Sequence, residues 1–156
     1  CPSIGDEDDL LSYFLKTETK NIRLILSAHP TYRDKVIKKF KKELKAKFFI
    51  ETFNNKSTFE LIKISDLVVC GFSSVAFEAN ILGKKSLRAI NLSNPIYNEL
   101  NDGIPFVFDQ REFDKKIKNI NKINFNESTI NKNIVYYFYK LDRSSSKRFW
   151  KILKKN

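Results

Sequence analysis

The stretch Ser65-Asp-Leu-Val-Val-Cys-Gly-Phe-Ser-Ser-Val-Ala-Phe-Glu-Ala-Asn-Ile-Leu-Gly-Lys-Lys85 decides how the chain is read. Leu67 to Cys70 is an unbroken apolar run of strand length, Gly71-Phe72 makes a tight turn, Ser73-Ser74 opens a helix and Gly83 stops it. A strand that ends where a helix begins leaves backbone N–H groups without helical partners and turns the positive end of the helix toward whatever lies above the sheet. With two hydroxyls at the junction, this is the pattern of a phosphate seat.

On the N-terminal side, Ile22 to Ser27 is a short apolar strand that ends at His29-Pro30. Pro30 cannot continue a ladder and pre-sets the helix that follows. Between Tyr32 and Lys47, Val36, Ile37, Phe40 and Leu44 recur at helical spacing while lysines fill the other faces, which predicts an amphipathic helix with a basic, solvated exterior. Phe48 to Glu51 is a second strand, and Ser57-Thr-Phe-Glu60 matches a capping box opening a helix to Ile64. At the start, Asp6 to Asp9 favour a first helical turn whose apolar face is Leu10, Leu11, Phe14 and Leu15. The preceding Cys1 to Gly5 has the character of a loop leaving a strand, so an N-terminal part is expected ahead of it.

On the C-terminal side, Ser86 to Ile90 and Ile104 to Phe108 are further strands, joined by a polar loop, and Asp109 and Glu112 begin a helix carrying Phe113 and Ile117. Asn119 to Asn126 reads as a linker before two helices, Asn131 to Leu141 and Ser144 to Lys155. Strands alternating with helices predict an α/β fold: a Rossmann-like parallel sheet with helices on both faces, over residues 1–125, followed by C-terminal helices over 126–156 that pack on it. In such sheets ligands sit above the carboxyl ends of the strands, and both His29 and Ser73-Ser74 fall at such ends.

With 156 residues, 42% hydrophobic and 13% aromatic, the chain is long enough to bury a core without staples. A net charge of +11 points to an acidic partner: a nucleotide, a phosphorylated acceptor, a polyanion or an anionic membrane surface. Cys1 and Cys70 do not form a disulfide framework, which fits a reducing compartment. No apolar run reaches the roughly 18 residues of a spanning helix. There is no metal cluster, no Cys-His pair and no Gly-rich phosphate loop in the sequence, so neither a metal nor an organic cofactor is expected.

Each candidate has a plainer reading beside the functional one. Ser73 and Ser74 are helix caps, or they hold a phosphate. Glu78 lies too far along for a capping box with either serine; it is a solvated helix glutamate, or it accepts hydrogen bonds from ribose hydroxyls. His29, the single histidine, ends a strand half-buried, or it neutralises a departing phosphate. Gly83 is a helix C-cap and Asn101-Asp-Gly103 a turn. The aromatics Tyr136 to Tyr139 read as core. Phe149, Trp150, Ile152 and Leu153 among lysines either bind an anionic membrane or pack back on the domain.

His29-Pro30 after a strand, Ser65-Asp66 before one, and Ser73-Ser74-Val75 with Glu78-Ala79 and Leu82-Gly83-Lys84 after it, together resemble the C-terminal nucleotide-binding half of GT-B glycosyltransferases. In motif they are similar to bacterial surface-polysaccharide enzymes: CMP-sialic acid and CMP-Kdo transferases, and CDP-glycerol or CDP-ribitol polyol-phosphate transferases. The likeness runs from Ile22 to Asp109. It implies that His29 assists the leaving nucleotide, that Ser73 and Ser74 hold the phosphate and Glu78 the ribose, and that Ser3 and Gly5 border the donor. The implied donor is a nucleotide sugar, CMP-linked by preference; the acceptor is a glycan or lipid-linked glycan of capsule or lipopolysaccharide, met in the cytoplasm or at the inner membrane face, without specific nucleic-acid binding. The family's general base lies in an acidic motif upstream of the His-Pro pair. Asn101-Asp-Gly103 falls downstream, and Asp6 to Asp9 reads as a helix start, so the resemblance implies a donor site without the base and a fragment inactive alone. Two alternatives stand: a CDP-polyol phosphotransferase domain, and a non-catalytic basic module for polyanions or membrane.

Overall fold

The computed structural model describes residues 6–90, 103–138 and Ser144. Five strands, β1 (Arg23–Ile25), β2 (Phe49–Glu51), β3 (Leu67–Cys70), β4 (Lys85–Ala89) and β5 (Phe106–Val107), alternate with helices. The helices are α1 (Asp6–Lys16), α2 (Arg33–Leu44), α3 (Thr58–Lys63), α4 (Val75–Ile81), α5 (Gln110–Lys118) and α6 (Glu127–Phe138). The fold is mixed α/β, with parallel strands flanked by helices in a Rossmann-like arrangement. Where the sequence predicts one sheet, hydrogen bonding divides the strands into two, β1-β2 and β3-β4-β5, each parallel throughout.

The two sheets share one direction. α1 and α5 lie side by side and run the same way, because Gln110 Nε2 donates to the Tyr13 carbonyl at 3.2 Å and, about one turn further along α5, Asp114 accepts from Thr17 Oγ1 just past the end of α1. α1 turns back directly into β1, and α5 follows directly from β5. β1 therefore runs parallel to β5, and with it to every other strand. The carboxyl ends of all five strands lie at one edge, as the sequence predicts.

Alternation along β4 sorts the two faces. Leu87 and Ala89 enter a core with Leu10, Leu11 and Tyr13 of α1, Val36, Phe40 and Leu44 of α2, and Phe113 and Ile117 of α5. The opposite side of β4 meets α4, whose Asn80 Nδ2 donates to Ser86 Oγ at 2.7 Å. There a small cluster of Cys70, Ala76, Phe77 and Ile104 forms a second core. Local chemistry fixes the ends of these elements. Both arms of the capping box are present at Ser57 and Glu60, Asp109 accepts from Glu112 N–H, and Gly83, at φ +70, ends α4 with its own N–H bonded to Asn80 and that of Lys84 to Ala79.

Three expectations about the C-terminal part change. The segment predicted as a linker carries a 3-10 turn, Ile120–Lys122, and Ile123 is buried beside it. α6 begins at Glu127, four residues earlier than its periodicity suggests, because Asn126 accepts from Thr129 N–H and caps it. Its Ile130 packs onto Gly103, where an added Cβ would lie 2.9 Å from the Asn126 carbonyl. Tyr136, expected in the core, is 81% exposed, since the inward face of α6 is used by Ile130. The final helix predicted over Ser144 to Lys155 lies, apart from Ser144, outside the described residues.

Candidate functional site

The site begins with the turn after β3. Ser73 is buried, and its Oγ accepts from Val75 N–H at 3.3 Å. Ser74, at the N-cap of α4, makes no capping bond to the backbone. Its Oγ instead donates to Glu78 Oε1 at 3.2 Å, one turn on. The two serines thus divide the work: Ser73 serves the backbone and Ser74 is tied to the carboxylate. Ser74 is exposed and Glu78 half-buried, so this pair faces outward while Ser73 faces the fold.

Beneath the turn lies a residue that the sequence reading passed over. Arg88, on β4 opposite Cys70, is 2% exposed, and its Nη1 donates to the carbonyls of Gly71 and, at 3.2 Å, Ser73. A guanidinium anchored to two carbonyls fixes the path of the intervening turn. It also fixes the direction of the donors. Peptides are trans and planar, so a Ser73 carbonyl aimed at Arg88 sends the adjoining Ser74 N–H the opposite way, out of the core. The detectable signal was a charged residue inside an otherwise apolar strand, Ser86-Leu-Arg-Ala-Ile90.

His29 lies just past the carboxyl end of β1 and is exposed. Its Nδ1 accepts from Thr31 N–H at 3.3 Å, which caps the 3-10 turn Pro30–Tyr32, and its ring lies 5.8 Å from that of Tyr32. With Nδ1 accepting, the neutral ring carries its proton on Nε2, leaving that atom as the donor. The histidine contacts its own turn, not Ser73, Ser74 or Glu78. What joins these residues is the edge they share: His29 follows β1, the serines follow β3, and both strands point the same way.

Ser3 and Gly5 lie outside the described residues. Among the described residues no group of His, Cys, Asp or Glu is placed to hold a metal ion, and no helix is long and apolar enough to cross a membrane. α4 spans only seven residues, so its dipole is small and the turn must supply most of any anion binding. By fold and site the chain belongs among mixed α/β proteins with parallel, helix-flanked sheets and polar residues at the carboxyl edge. No family model, curated protein or solved structure matches it.

Proposed function

We propose that the chain is the donor-binding domain of a GT-B-type glycosyltransferase acting on a nucleotide-activated sugar, CMP-linked by preference, in the synthesis of bacterial surface polysaccharide. The observation that carries this reading is the placement of His29 and the Arg88-braced turn at Ser73 and Ser74 on the same carboxyl edge of parallel strands. The Ser74 N–H and hydroxyl donate to the phosphate while the buried Ser73 holds the turn beneath them, and His29 Nε2–H donates to the phosphate oxygen that gains charge as the sugar leaves. Glu78, released from Ser74, accepts from the ribose hydroxyls. We assign no described residue to the base that activates the acceptor.

Calorimetric titration of the folded chain with CMP, CDP, UDP and GDP tests the reading. Saturable binding with CMP tightest supports it, CDP tightest turns it toward a polyol-phosphate transferase, and no binding to any of the four refutes it. His29→Ala, which removes a donor to a charged group, should weaken the favoured nucleotide about tenfold to a hundredfold while leaving Tm nearly unchanged. One observation favours a second reading. The exposed lysine row of α2 and the net charge of +11 suit a polyanion-binding module. That reading requires steeply salt-dependent binding to polyphosphate or nucleic acid with no nucleotide preference.

A further inference from the structure

We infer that the cleft between β1 and β3 is the seat of one more parallel strand, supplied by the polypeptide that leads into α1. The inference stands independently of the proposed chemistry. β1 and β3 both line this cleft, and neither pairs with the other in a ladder. Its volume is about 690 Å³. From strand rise, strand spacing and sheet-packing distance, one residue of buried strand takes up roughly 160 Å³. The cleft therefore holds about four residues of strand, the same number as β3 itself. Its floor is apolar, with Leu10 and Phe14 of α1, Phe40 of α2 and Ile117 of α5. Its sides are two strand edges, which are templates for backbone pairing.

Handedness identifies the occupant. β1, α2 and β2 form a parallel crossover that moves away from the cleft, with α2 on the face that also carries α1 and α5. Crossovers of this kind are right-handed in nearly every case. A strand that passes through α1, on that same face, into β1 must then lie on the side of β1 away from β2, which is the cleft. The entry point agrees. α1 runs opposite to the strands, so its first turn lies toward their carboxyl edge, and Tyr13, further along α1, sends its OH to the carbonyl of Ile90 just past the carboxyl end of β4. A parallel strand in the cleft would deliver the chain to that edge. The completed order, β2-β1-new strand-β3-β4-β5, reverses direction at the new strand, and such a reversal is where doubly wound sheets open their ligand crevice. His29 and Ser73 would then stand on the two strands that flank it.

The test extends the 156-residue chain at its N-terminus with Lys-Val-Ile-Val-Ile-Val, and in a control with Lys-Val-Pro-Val-Pro-Val, leaving Cys1 to Gly5 as the connection to α1. Amide hydrogen exchange is read in β1 and β3. The strand-forming extension should slow exchange of cleft-facing amides at least tenfold in a monomer and displace bound anilinonaphthalene sulfonate; the proline extension, unable to donate at alternate positions, should do neither. Unchanged exchange, or equal protection by both extensions, overturns the inference. Protection found only in a dimer by sedimentation assigns the cleft to a second copy and overturns it as stated. If the extended chain does not fold, the same hexapeptide is added to the unextended chain, and failure to protect β1 and β3 at millimolar peptide overturns it equally.

Discussion

Alternate side chains of β4 enter two unlike environments. Leu87 and Ala89 join an apolar core shared by α1, α2 and α5, built on large side chains such as Phe40, Leu44 and Phe113. Ser86 and Arg88, also buried, point to the α4 side, where the apolar cluster is small and the contacts are hydrogen bonds: Asn80 to Ser86, Arg88 to the carbonyls of Gly71 and Ser73. The first face has the area that drives folding; hydrophobic burial is non-directional and rewards bulk. The second has directional bonds, which stabilise little on net but hold atoms in one place. Separating the two lets the β3–α4 turn be shaped for recognition without cutting into the main core.

The sharpest way to break this comparison is to remove bulk from each face. Phe113 is fully buried, its ring 5.0 Å from Tyr13 and edge-on to Phe14 at 5.3 Å. Phe113→Ala should cost about 3–5 kcal/mol in denaturant unfolding, with nucleotide affinity of the remaining folded protein unchanged. Phe77→Ala, on the α4 side, should cost less, because that cluster is smaller and can collapse further. Equal losses would mean that the two faces share the stability.

Arg88 separates a structural role from a recognition role on the polar face. Arg88→Met keeps most of the side-chain volume and removes the bonds to the Gly71 and Ser73 carbonyls. Stability should fall by about 2 kcal/mol, within the usual cost of stranding charge-assisted partners. Exchange of the Ser74 amide should accelerate and nucleotide affinity should drop at least tenfold. Arg88→Lys, which brings a point charge without the fork, should restore part of the stability and little of the affinity. A stability loss with affinity intact would reduce the turn to a structural joint.

What was legible in the sequence was local. Leu67 to Cys70 forms the strand that its apolar run predicts, Ser57 and Glu60 form the box that their spacing predicts, and Val36, Phe40 and Leu44 bury the face that their period predicts. Each of these signals is complete within a single element. The rest depends on partners far along the chain. Arg88 gains its meaning from carbonyls 15 and 17 residues back, Tyr13 from a carbonyl 77 residues on, and the cleft from β1 and β3, strands that sequence order separates by β2. The same holds for Tyr136, which is exposed because the inward face of α6 is set by Ile130 against the distant Gly103. At the candidate site the residue types were readable, whereas the Ser74–Glu78 pairing and the brace beneath it were not.

The smallest effect tests a polar device on the apolar face. Tyr13 is buried against Phe113, and its OH donates to the Ile90 carbonyl at 3.1 Å, joining α1 to the end of β4. Burial, reinforced by the negative charges of Asp9, Asp109 and Glu112, pushes its pKa from 10.0 up to about 12. The folded state therefore holds the phenol proton more tightly than the unfolded chain does. The resulting stabilisation is complete below pH 10 and is lost as pH rises toward 12. Tyr13→Phe removes both the bond and this titration: at pH 7 it should cost about 1 kcal/mol, and the gap in Tm between the two proteins should narrow steadily above pH 10. Every other residue is common to the two proteins, so the difference isolates Tyr13. A gap that stays constant through pH 12 would mean that the hydroxyl is solvated in the folded state. In that case the apolar face would admit water at the carboxyl edge of the strands.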